Sequence, residues 1–143
     1  MRSRADRLVQ VTEDARDRAR RLQASAMASA EKAAHALTLC REALAAAQEE
    51  RNELNVRGGD ESAFRETDAW IRSHEGRVSR AHDALVLAQR VLAAAKNDVA
   101  QAIIRVEQMC ALRERARDAV RAKEERAERR DEDERQARRA TTK

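Results

Sequence analysis

One apolar position returns every seventh residue from Phe64 onward: Phe64, Ile71, Val78, Leu85, Leu92, Val99 and Val106, then Arg113, Val120 and Ala127. A second row runs between its members through Thr67, His74, Ala81, Ala88, Ala95, Ala102, Met109, Ala116 and Lys123. The alternating three-and-four spacing is that of a coiled coil, in which a narrow stripe keeps facing a partner only if the helices wind around each other. The partner stripe lies upstream in the same chain. It reads Leu8, Thr12, Ala15, Ala19, Leu22, Ala26, Ala30, Ala33, Leu37, Cys40, Leu44, Ala47, Arg51 and Leu54, with one pair of consecutive fours around Ala26. Such a pair predicts a stutter, a local unwinding of the supercoil.

The spacing therefore predicts an all-α protein: one long antiparallel two-helix coiled-coil hairpin over 1–143, with an overhanging C-terminal helix. Ser3 with Asp6 three residues on reads as an N-cap, so helix one is expected over about 3–56. The adjacent pair Gly58 and Gly59 marks a turn over about 57–61, followed by Asp60 and Ser62 as candidate caps for helix two, over about 62–140. Pairing about this turn sets residue i opposite roughly 118 minus i. Helix one is then used up near residue 115, and the remainder is expected to be a bare helix. Much of the seam is alanine, which lets the helices approach at the short end of the usual roughly 8–10 Å and buries little area per turn. That predicts a slender hairpin about 80 Å long of modest stability.

Composition agrees with a rod. Charged residues make up 39% of the chain and aromatics 1%, so bulky side chains to fill a globular core are lacking. Proline is absent, and its cost of about 3 kcal/mol inside a helix is nowhere incurred. The net charge of +4 arises from 30 basic and 26 acidic residues that are closely interleaved, with the excess mostly in the last segment. Interleaved signs at helical spacing read as a solvated face.

Several functional classes find no support. His74 and His82 stand roughly 12 Å apart along a helix, too far to share a metal ion. No cysteine pair has metal-ligand spacing, and Gly58-Gly59 lacks the lysine and preceding strand of a phosphate loop. No catalytic, cofactor or metal residues are assigned, and no enzymatic activity is expected, because an exposed rod encloses no substrate. Nucleic-acid binders gather cations on one face and interleave aromatics, whereas here acids neutralise the arginines locally. No stretch approaches a membrane span or a signal peptide, which predicts a cytoplasmic protein without membrane insertion. Cys40 and Cys110 would lie roughly 48 Å apart in the hairpin, so no bridge is expected between them.

The tail runs Arg126-Ala127-Glu128-Arg129-Arg130-Asp131-Glu132-Asp133-Glu134-Arg135. With one hairpin, a turn nearer the N-terminus, and this charged ending to the longer helix, the chain resembles the central stalk of type III secretion systems, the flagellar FliJ and injectisome YscO type. The resemblance implies a noncatalytic rod that inserts into a hexameric secretion ATPase and couples it to the export gate protein, with secretion chaperones as further partners. It implies a gate-binding tip containing Phe64, Trp70, Ile71 and His74, and an ATPase-facing tail with Arg126, Arg129 and Arg130. Each has a plainer reading as well. Trp70 can simply close the seam edge, His74 can fix register as a polar seam residue, and the three arginines can be a solvated face. Two alternatives stand beside the stalk reading: a structural coiled coil that self-associates and, less favoured by the interleaved charges, a basic coiled coil that binds nucleic acid.

Overall fold

A computed structural model describes residues 3–142. It consists of two helices, α1 (Arg4–Arg57) and α2 (Glu61–Thr141), of 54 and 81 residues. The two pack together with no strand among the described residues, as an all-α helical hairpin. Contacts divide the chain into two units, one of residues 19–99, the other combining residues up to 18 with residues from 100 onward.

In the unit of residues 19–99, α1 turns back at Gly58, whose φ of 79° is the left-handed value a side chain disfavours. Its N–H donates to Leu54 O at 2.8 Å, closing the helix end. Asp60 caps the next helix, its Oδ1 accepting from Ala63 N at 2.9 Å. Ser62, the other candidate cap, lies inside α2. Beyond the turn, the α2 row expected from the seven-residue repeat is covered throughout: Phe64, Thr67, Ile71, His74, Val78, Ala81, Leu85, Ala88, Leu92, Ala95 and Val99 are all buried or half-buried. The same frame continues in the other unit through Ala102, Val106, Met109 and Arg113.

Helix α1 departs from the expected stripe in its first half. Leu8 and Leu22 are exposed, Leu22 by 67%, while Val9, Arg16 and Gln23 are buried or half-buried. Covered positions include the run Val9, Thr12, Arg16, Ala19, Gln23, Ala26, Ala30, Ala33, Leu37, Cys40, Leu44, Ala47, Arg51 and Leu54, with Ala5, Asp6, Glu13, Asp17 and Ala43 half-buried beside it and Ala15 half-buried as the expected stripe has it. The run is an unbroken alternation of three and four, so the expected stutter around Ala26 is absent. The physical reason is that α2 carries an unbroken frame, and a facing helix that stays in phase with it must accept polar residues at Arg16 and Gln23. Leu8 and Leu22 consequently fall one position outside the seam.

At the start of α1, Ser3 and Asp6 form a reciprocal cap: Asp6 N donates to Ser3 Oγ at 3.1 Å, and Ser3 N donates to Asp6 Oδ2 at 3.1 Å. The Ser3 hydroxyl also donates to that carboxylate at 2.8 Å. These bonds, the side-chain one foremost, hold the Asp6 carboxyl below its ordinary pKa, with the charges of Arg117 and Arg113 acting in the same direction. Arg117 reaches Asp6 Oδ1 at 3.3 Å, and Ser3 and Ala5 line a shallow cleft with Arg113, Arg117, Val120 and Arg121. Pairing therefore extends a little past residue 115, because arginine side chains span an additional turn. Thereafter α2 is bare: from Lys123 to Thr142 every described residue is exposed.

Candidate functional site

The turn end gathers the bulky residues that sequence pattern places near it. Phe64 is half-buried beneath the guanidinium of Arg51, whose Cζ lies 4.4 Å from the ring centroid. The same guanidinium donates from Nε to Asp68 Oδ1 at 2.7 Å and from Nη1 to Asn55 Oδ1 at 2.7 Å. A seam arginine thus ties α1 to α2 across the end of the hairpin, with its charge neutralised and its face stacked on an aromatic ring. The periodicity places Arg51 in the seam, but its partners become visible only once the two helices are brought together.

One turn further along α2 stand Trp70 and His74. His74 occupies the seam and is only 6% exposed, whereas Trp70, one position before Ile71, remains 48% exposed. Their rings are 5.3 Å apart at an interplanar angle of 57°, so the imidazole packs obliquely against the indole. The His74 Nε2 atom is buried without a hydrogen-bond partner. Ile71 is half-buried beside them, and Thr67 is buried with its hydroxyl donating to Ala63 O at 2.9 Å.

The outer face of Trp70 borders a cleft of about 470 Å³ lined also by Glu50, Glu66 and Thr67. The two carboxylates were not among the residues singled out from sequence. They come from different helices, and only the fold brings them to one cleft with the indole. Chemically the arrangement is a docking surface: a large amphipathic ring, half covered and packed against an imidazole, with acidic groups beside it. Among the described residues no group of three or more His, Cys, Asp or Glu side chains is placed to hold a metal ion.

The tail arginines lie elsewhere. Arg126, Arg129 and Arg130 are all exposed on the bare part of α2, whereas Phe64, Trp70, Ile71 and His74 share the turn end of the other unit. Cys40 and Cys110 are both free thiols, half-buried, one in each unit. No described helix is long and apolar enough to cross a membrane.

Comparison with known proteins gives one finding of identity. No curated protein and no solved structure matches the chain. A family model described as "Flagellar FliJ protein", however, matches residues 1–143. With the match running from the first residue to the last, the chain belongs to the FliJ family.

Proposed function

We propose that this protein is a noncatalytic cytoplasmic stalk of a type III protein secretion system, inserting its bare charged helix into the ring of the hexameric secretion ATPase and docking its turn end on the export gate protein. The observation that carries the reading is Trp70. It is the only tryptophan, and it stands half exposed against a buried histidine in a chain with almost no other aromatic surface. Tryptophan is enriched where a few residues dominate a binding energy. The tail supports the other half of the reading, because exposed interleaved charges make weak, easily exchanged pairs. Such a surface suits a polar pore in which a subunit must not stick. Arg126, Arg129 and Arg130 are the residues we assign to that contact, and Phe64, Trp70, Ile71 and His74 to the gate. Secretion chaperones fit the same picture as additional partners.

Mixing the protein with an export ATPase tests the reading directly: complex formation and faster ATP hydrolysis are expected, and the lack of both would overturn it. Sedimentation distinguishes the rival, a self-associating structural coiled coil. The stalk runs as an elongated monomer at micromolar concentration, whereas the rival runs as a dimer or larger. Trp70→Ala is expected to weaken gate binding and leave the melting temperature nearly unchanged. A large drop in melting temperature would assign the indole to the fold instead.

A further inference from the structure

Away from the turn end, in the unit of residues 19–99, a groove of about 640 Å³ runs along one side of the seam. Leu22 of α1 and Leu87 and Val91 of α2 border it, all three more than half exposed. Between them lie small side chains, Ser25 and Ser29 on α1 and Ala84 on α2. Leu87 to Asp98 spans roughly 16 Å of helix, or about three turns.

The groove belongs to a marked asymmetry of the unit. In the seven-residue frame, Leu22, Leu39, Trp70, Leu87 and Val91 all fall on the side next to the second seam row, and all are exposed. The opposite flank of the seam carries one exposed large apolar side chain, Met27. Large side chains around small ones form a concavity that fits the ridge of a single helix.

Charge at the turn-ward end of the groove narrows the choice of occupant. Moving one heptad toward the turn along the rows that line the groove leads from Ser25 to Lys32, from Ala84 to Arg77 and from Leu87 to Arg80, all three exposed. The Arg80 guanidinium lies over Gly76, where a Cβ would meet its Nη1 at 3.4 Å. Asp98, at the end away from the turn, is the one charged residue lining the groove itself, and the three basic residues flank its other end. A second copy of this chain offers no suitable ridge: its single-helix segment, 123–142, contains no apolar side chain larger than alanine. We infer that the groove receives an amphipathic helix of another protein, one with bulky apolar residues at i, i+3 or i+4 and i+7 and with carboxylates flanking that stripe. The groove lies on the same flank as Trp70 but is not lined by it, and its assignment does not depend on the stalk reading.

The test uses two fluorescein-labelled designed helical peptides with the same leucine stripe over three turns, one with glutamates beside the stripe and one with lysines. The glutamate peptide is expected to bind the full chain saturably, and more weakly at high salt. Val91→Glu should reduce that binding at least tenfold. Arg80→Glu should weaken the glutamate peptide severalfold and strengthen the lysine peptide. Both substitutions are at exposed positions, so the helical circular dichroism and melting temperature should stay unchanged. No saturable binding at 200 μM (on the order of the weak end of helix–groove affinities), or equal binding of the two peptides, would overturn the assignment. So would a wild-type dimer that Val91→Glu disperses, since that would make a second copy the occupant.

Discussion

Exchanging the characters of two adjacent residues tests the register of α1. Leu22 is 67% exposed and Gln23 is half-buried in the seam. Burying a whole leucine side chain is worth about 1.5–3 kcal/mol, and Leu22 realises only about a third of that, so Leu22→Gln should cost no more than about 1 kcal/mol. Gln23→Leu places an apolar side chain where roughly half its surface is covered and removes an amide from the seam, for a gain of about 1 kcal/mol. A stripe with a stutter at Ala26 requires the opposite. Leu22 would then be a core residue whose loss costs about 2–4 kcal/mol, while Gln23→Leu would expose an apolar residue for no gain. Urea titrations followed by circular dichroism, extrapolated linearly to water, resolve differences of this size. A loss above about 2 kcal/mol for Leu22→Gln together with no gain for Gln23→Leu would refute the unbroken three-and-four frame.

Further expectations follow from single groups. Gly58→Ala forces a side chain into the φ of 79° and should cost about 1–2 kcal/mol in a thermal melt. Gly59→Ala brings a Cβ to 3.2 Å from the tip of Leu54, with Ala63 and Phe64 at ordinary contact distance, and should cost less. His74→Leu removes a buried Nε2 without a hydrogen-bond partner and should raise stability by about 1 kcal/mol without changing the sedimenting mass. A loss of stability, or a new oligomer, would show that the imidazole fixes register. Asp6 has a folded pKa below its ordinary carboxylate value, so its stabilisation is present above that ordinary value and lost as pH falls through the folded one. Amide exchange in the first turn should therefore quicken as pH drops below that range, relative to its intrinsic rate, and Asp6→Asn should remove the transition.

How much of this was legible in sequence depends on which helix is read. In α2 the rows from Phe64 to Val106 are filled by apolar or small residues with few rivals beside them, so the repeat alone locates the seam, the buried His74 and the half-covered Trp70. In the first half of α1 the seam positions are Arg16 and Gln23, while leucines stand immediately before a seam position at 8 and 22. Hydropathy then favours the wrong row by one residue, and only the phase of the facing helix corrects it. The same limit applies to the candidate sites. The residues of α2 near the turn could be named from spacing, but Glu50 beside Trp70, Arg51 over Phe64 and Leu22 beside Leu87 are pairings between helices, which depend on register as well as periodicity.

The distribution of apolar side chains gives this register a consequence. Within the unit of residues 19–99, the seam alternates bulky residues such as Leu37, Leu44, Leu85 and Leu92 with alanines at Ala26, Ala30, Ala33, Ala47, Ala81, Ala88 and Ala95, while Leu22, Leu39, Leu87, Val91 and Trp70 lie outside it. A sequence optimised for its own hairpin would fill more of those alanine positions, since each alanine-to-leucine exchange in a seam that can accommodate it adds apolar area at about 25 cal/mol per Å². Keeping the small residues inside leaves the helices close together and the hairpin weakly held. Placing Leu22, Leu39, Leu87, Val91 and Trp70 on one flank leaves there a face whose apolar area can be buried only by something else. The two halves of the arrangement are coupled: a helix docked along that flank would touch both α1 and α2 and so stabilise the weak seam beneath it, in proportion to ligand concentration over Kd. The melting temperature of the chain should therefore rise on adding the glutamate peptide to the wild type and stay fixed for Val91→Glu. A peptide that binds without raising it would show that docking is confined to one helix.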